Sequence, residues 1–155
     1  MRADLDELYE KYPPGFPVED LPEGAREERI TVYRVCRSGR VEPSSFLPTY
    51  LDELAMTKEN AEAEYDIGHY SLSTFFKENE AKRALKFFRG KQPNAILAIG
   101  CTEPSCGLCQ RTKERKKGAR SHVDWWLYQD AKPHILFQEI SQEGGEDGAH
   151  PEPLL

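Results

Sequence analysis

Three cysteines fall within nine residues, Cys101, Cys106 and Cys109, in a C-x4-C-x2-C spacing, and a fourth, Cys36, lies far upstream. Thiolates bind zinc in tetrahedral sets of four, and a C-x2-C step lets two sulfurs converge on one ion. Cys36, Cys101, Cys106 and Cys109 can supply such a set, as can the last three with His122. Cys36 ends one expected strand and Cys101 follows another, so the two can meet at one end of a sheet. A single C-x2-C also suits thiol exchange, and incidental free thiols are the plainer alternative.

The cysteines run into a basic stretch, residues 111–120 (RTKERKKGAR), with six basic residues and one acidic. The chain as a whole carries a net charge of −6, so the positive charge is local. A concentrated cationic loop on an acidic protein suits a phosphate, a polyanion or an acidic protein partner, and not general coating of nucleic acid. The plain alternative is a solvated connector, in which replacing Lys113, Arg115, Lys116 and Lys117 by serine leaves stability nearly unchanged.

Directly after the basic stretch comes His122-Val123-Asp124-Trp125-Trp126-Leu127-Tyr128. In a strand, His122, Asp124, Trp126 and Tyr128 share one face, while Val123, Trp125 and Leu127 share the other, which is the core face. An imidazole, a carboxylate, an indole and a phenol together can stack on a ring and hydrogen-bond its edge. Equally, an N-terminal arm can cover that face, with His122 and Asp124 simply paired. In a small nuclease or toxin-like protein, His122 would be a general base and Lys116 and Lys117 would hold a phosphate.

Positioning these groups requires a sheet. Ile30–Cys36 is β-branched and aromatic with a Ser38-Gly39 turn after it, and His69–Phe75 alternates. Ala95–Ile99 is a continuous apolar run that reads as a buried strand, and His122–Leu127 and His134–Ile140 complete the set. Residues 78–89 place Ala81, Ala84, Leu85 and Phe88 on one helical face, with Gly90 as the stop. Short helices are expected over residues 3–12 and 45–55, a solvated helix or loop over 57–66, and a long loop over the cysteine and basic segment. The expected fold is therefore α+β: a mixed, mostly antiparallel sheet of about five strands with two to four helices. Residues 1–28 form a helix and a proline-rich arm, 29–140 a single α+β domain, and 141–155 a disordered acidic tail.

At 155 residues the chain is long enough for one stable core. It has no apolar run of membrane-spanning length and no apolar leader at its start, so the expected setting is soluble and cytoplasmic, with reduced thiols and no membrane. The absence of G-x-x-x-x-G-K-[ST], G-x-G-x-x-G and G-x-S-x-G argues against a P-loop, a Rossmann site and an α/β-hydrolase.

One ordering of residues spans 30–140: Arg34 in Val32-Tyr33-Arg34-Val35, then Ser71-Leu72-Ser73-Thr74-Phe75 leading into a helix, then Glu139 in Ile135-Leu136-Phe137-Gln138-Glu139. This resembles the Arg…Ser-Thr-Ser…Glu arrangement of the ADP-ribosyltransferase superfamily, in which an α+β core splits NAD and moves ADP-ribose. The resemblance implies that Arg34 holds the NAD phosphates and that Ser73 and Thr74 support the pocket. It implies further that Glu139 hydrogen-bonds the ribose and stabilises an oxocarbenium-like transition state. The function expected on that basis is NAD-dependent ADP-ribosyl transfer. The alternative is a non-enzymatic binding module, zinc-stabilised or not, that meets a polyanion or protein partner through residues 111–120 and 122–128.

Overall fold

The computed structural model describes residues 5–52 and 66–140. Its centre is one six-stranded sheet: β1 Thr31–Cys36, β2 Leu72–Phe75, β3 Ile96–Cys101, β4 Gly107–Arg111, β5 His122–Leu127 and β6 Gln138–Glu139. The order is β4-β5-β2-β1-β3-β6. Every pairing is antiparallel. Among the described residues two α-helices accompany it, α1 Leu5–Lys11 and α2 Glu78–Phe88. The architecture is the expected α+β, with a six-stranded and wholly antiparallel sheet where a mixed, mostly antiparallel one of about five strands was expected.

Strand alternation divides the apolar residues between the two faces. On one face Val32, Cys36, Leu72, Ala98, Cys109, Val123 and Trp125 pack under Phe46 and Phe137, which come from irregular segments. On the other face α2 lays Ala81 and Leu85 over Val35 and Leu97. Beside it, the N-terminal arm lays Leu8, Tyr12, Phe16 and Val18 over Leu108 and Trp126. Burying both faces explains why Trp125 and Trp126, adjacent and pointing opposite ways, are both fully buried.

Four local expectations are corrected. The described part of the 45–55 segment, residues 45–52, lies in two 3-10 turns, Pro43–Phe46 and Thr49–Leu51, because Pro48 between them cannot continue a helix. The second strand starts at Leu72; Ile67–Tyr70 before it is a 3-10 turn capped by Asp66, which accepts from the Gly68 N–H. The cysteine and basic segment is not one long loop but contains β4. That strand is held by five residue pairs to β5, and its outer edge is closed by a bridge between Arg26 and Cys109. Gly107 opens it at φ +150°, where an added Cβ would lie 2.1 Å from the Trp126 carbonyl oxygen. Finally, His134–Ile140 begins in the 3-10 turn Pro133–Leu136, and only Gln138 and Glu139 form a strand, paired with β3. Nearly all of the expected 57–66 segment, and the tail 141–155, lie outside the described residues.

Candidate functional site

The sheet is unevenly joined. β1 pairs with β3 over six residues and β2 with β5 over four, but β1 and β2 share a single pair, Tyr33 with Phe75. Beyond it the strands part, and the Arg34 guanidinium fills the opening. Its Nε donates to the Ser45 carbonyl at 3.0 Å and its Nη1 to the Ser73 carbonyl at 2.9 Å. The Ser71 carbonyl, next along β2, accepts from the Thr49 N–H at 3.3 Å. The outer edge of β2 is therefore satisfied by a side chain and a loop in place of β1, as buried backbone groups require. Arg34 and Arg37 share one carboxylate, Asp52, at 3.8 and 3.3 Å. Burial and the neighbouring Arg37 pull the Arg34 pKa down to about 10.

At the parted end lies a cleft of about 360 Å³ between the segments 43–51 and 127–134. Phe16, Phe46, Tyr50, Tyr70 and Tyr128 line it, with His134 and Lys132 at its wall. The Tyr50 and Tyr70 rings are 4.3 Å apart. A mostly apolar concavity of this size with a few polar groups has the character of a small-molecule site. The sequence reading found only Tyr128 of these residues. The signal available was Pro-Ser-Ser-Phe-Leu-Pro-Thr-Tyr, residues 43–50, where two prolines stiffen a loop that carries aromatic rings.

Arg34 and Glu139 lie on the same face of the sheet, since Arg34 pairs with Ala98 and Ala98 pairs with Glu139. Their backbones are thus two strand spacings apart, about 10 Å. Glu139 is exposed and Arg34 is 4% exposed. Ser73 pairs with Asp124 and lies on the opposite face, so its side chain does not join the other two, and none of the three lines the cleft. Its carbonyl, not its hydroxyl, is what meets Arg34.

The β5 face is covered and internally paired. Trp126 is fully buried and donates from Nε1 to the Ile67 carbonyl at 3.0 Å, and its own carbonyl accepts from Tyr12 Oη at 2.9 Å. Asp124, 1% exposed, accepts from Ser71 Oγ at 2.6 Å, Thr112 Oγ1 at 2.8 Å and Arg115 Nη1 at 2.6 Å. Thr112 Oγ1 also lies 2.6 Å from His122 Nδ1. The threonine has one proton and gives it to Asp124, so His122 is the donor to Thr112 and carries its hydrogen on Nδ1. Burial holds the His122 pKa below its ordinary value, the stronger effect of its surroundings. Tyr128 stands at the rim, donating to Glu27 at 2.7 Å. Of the four residues only Tyr128 reaches the cleft.

The basic segment is partly neutralised. Arg111 pairs with Glu28, Arg115 with Asp124 and Asp66, and Lys116 with Asp66. Arg115 is thus a structural cation and not part of a solvated connector.

The cysteines do not form one site. The antiparallel register sets Cys36 opposite Ile96 and Cys101 opposite Thr31, so the two thiols sit at opposite ends of the β1–β3 ladder, about 17 Å apart along it. This corrects the expectation that they meet. Cys109 lies mid-strand opposite Trp125 and its Sγ faces Thr102 and the Glu28 carbonyl. Burial raises the Cys36 pKa to about 11 and pushes Cys106 and Cys109 upward, away from thiolate character. Among the described residues no three His, Cys, Asp or Glu side chains are gathered as metal ligands. No helix among the described residues is long and apolar enough to cross a membrane.

Comparison with protein-family models, curated proteins and solved structures finds no match for this chain.

Proposed function

We propose that the protein binds a nucleotide by its ring in the cleft between segments 43–51 and 127–134, and that it uses NAD to transfer ADP-ribose. The observation that carries the binding reading is the parting of the sheet at Arg34, which leaves an aromatic-walled cleft at the parted end. Tyr50, Tyr70 and Tyr128 offer rings to a planar ligand, and Lys132 offers a cation to its phosphates. The resemblance to ADP-ribosyltransferases supplies NAD as the ligand.

In that reaction the bond between the nicotinamide nitrogen and the ribose breaks, and its electron pair leaves with the nicotinamide. The ribose becomes cation-like, a carboxylate lowers the energy of that state, and an O–H or N–H group of the acceptor then bonds the ribose carbon and releases its proton to solvent. Glu139, on the Arg34 face but outside the lining of the cleft, is the carboxylate that the resemblance assigns to this step. Arg34 is a positioning residue in this reading, because its donors are committed to Ser45, Ser73 and Asp52. It ties Ser45, in the loop whose Pro43 and Phe46 line the cleft, to β2, and leaves the phosphates to Lys132.

Calorimetric NAD titration of the parent, Tyr70→Ala and Glu139→Gln tests the two parts separately. NAD is expected to raise the melting temperature by mass action. Tyr70→Ala should weaken NAD binding about tenfold, the scale of one lost stacking contact. Glu139→Gln should keep the affinity while NAD cleavage falls by about two to three orders of magnitude. No NAD-dependent stabilisation at millimolar ligand would end the ring-binding reading. Undiminished cleavage by Glu139→Gln would end the assignment of that carboxylate.

A further inference from the structure

We propose that α2 and the Ala119–Arg120 turn form a binding surface for single-stranded nucleic acid. This surface is separate from the cleft above and stands or falls independently of NAD.

α2 and the residues just after it carry their charge unevenly. Between Glu78 and Lys91 there are five cations, Lys82, Arg83, Lys86, Arg89 and Lys91, against two acids. Both acids are engaged, Glu78 with Lys82 and Glu80 with the N–H and hydroxyl of Ser121. The five cations are all exposed. Within this basic surface Phe87 is 78% exposed, the most exposed of the large apolar side chains among the described residues. A buried helix face explains Ala81 and Leu85, whereas Phe87 makes only an edge contact with the Phe88 ring and keeps most of its surface in solvent.

Phe87 borders a groove of about 320 Å³ floored by Phe75, Ala84 and Phe88. Arg83 stands on one rim and Arg120 on the other. Arg120 has φ +58°, a left-handed backbone that a non-glycine residue adopts at a cost of about 1 kcal/mol. The Ser121–Glu80 bonds hold that turn against α2 and set Arg120 over the groove. Unlike Arg111, Arg115 and Lys116, Arg120 forms no ion pair within the described residues, and neither does Lys117. Arg120 therefore adds a cation to the groove, offset in part by the Glu80 carboxylate that shares its lining.

The ligand must present flat apolar surface and repeated negative charge together. An extended peptide needs backbone N–H and C=O groups to pair with, and a helix side offers none. A single strand of nucleic acid needs ring faces for its bases and cations spaced along its phosphates. Phe87 supplies the former, and Arg83, Arg120 and Lys86 the latter. Arginine also adds to base stacking through its planar cation. The cations extend past the groove, which favours a chain over a mononucleotide.

The test uses a fluorescein-labelled twelve-residue oligothymidylate and fluorescence anisotropy between 50 and 200 mM salt. Phe87→Ser should weaken binding at least fivefold with the salt slope unchanged, since it removes stacking and no charge. Arg83→Ser combined with Arg120→Gly should reduce the log–log salt slope by about 1.4, the value for two phosphates of a single strand. Arg120→Gly relieves the left-handed strain, so loss of fold is not the expected cause of a loss of binding. Tyr9→Ser, at an exposed ring on α1, should change nothing. Absence of binding at 50 mM salt, or equal affinity of parent, Phe87→Ser and the arginine double variant, would overturn the proposal. So would displacement of the oligonucleotide by an equally charged polyglutamate at equal concentration, which would show that an acidic peptide is recognised as well.

Discussion

Removing Arg115 should destabilise the protein strongly, although it lies in a stretch that reads as a solvated loop. Asp124 is 1% exposed, and Arg115 Nη1 is 2.6 Å from its Oδ2. Taking one partner from a buried ion pair leaves an uncompensated charge, at a cost of about 3–5 kcal/mol. Two features reduce that cost here. The Arg115 side chain is 19% exposed, so the pair is partly screened, and the hydroxyls of Ser71 and Thr112 still donate to the carboxylate. Each such bond retains about 1 kcal/mol net. The expected loss for Arg115→Met is therefore about 2–3 kcal/mol by urea denaturation.

A double-mutant cycle with Asp124→Asn isolates the pair. Once the charge on residue 124 is gone, Arg115→Met should cost under about 1 kcal/mol, giving a coupling of at least about 1 kcal/mol. Lys117→Ser, in the same stretch but without an ion pair, should stay within about 0.5 kcal/mol of the parent. Arg115→Met within that same margin, or an additive cycle, would refute the reasoning and return the whole segment to the status of a connector.

Acid should weaken the fold through His122. Its folded pKa is depressed, so the unfolded chain binds its proton first. Stability is then intact above the ordinary value near 6.5 and is lost as pH falls from there through the folded value. His122→Gln should flatten that part of the urea-midpoint profile between pH 5 and 7. Gly107→Ala should cost more than about 2 kcal/mol in thermal unfolding, because the new Cβ meets the Trp126 carbonyl rather than a movable side chain, at a φ that strains any other residue. Arg34→Lys should cost about 1–3 kcal/mol by urea denaturation, since a lysine cannot reproduce the forked bonds to the Ser45 and Ser73 carbonyls.

The parts of the fold that were legible are those where one segment carries its own periodicity. Ala81, Ala84, Leu85 and Phe88 mark α2 without reference to anything else, and the β-branched run of β1 and the apolar run of β3 do the same. β4 was not legible, because Gly-Leu-Cys-Gln-Arg has neither β-branched residues nor clean alternation. It is a strand because β5 on one side and Arg26 on the other give its backbone partners. The β5 face shows a different limit. Alternation places His122, Asp124 and Trp126 together correctly, but whether that face is open depends on Tyr12, which reaches Trp126 across 114 residues of sequence. The cleft has the same character, since segments 43–51 and 127–134 meet only in three dimensions.

The cysteines make the clearest case. Had β1 and β3 run parallel, Cys36 and Cys101 would have ended their strands side by side and the four-thiol set would have been within reach. They run antiparallel, and the same two residues are separated by the length of the ladder. Strand sense is fixed by the connection between strands, here the passage through β2 and α2, and not by the residues of either strand. Spacing motifs whose ligands come from two strands therefore carry chemical meaning only once that sense is known. The C-x2-C pair, local to one segment, is different in kind. Cys106 ends a 3-10 turn and Cys109 lies inside β4, hydrogen-bonded to Thr102 and the Glu28 carbonyl. What sets these two thiols apart is that one caps a turn and the other fills a core, and burial raises the pKa of each.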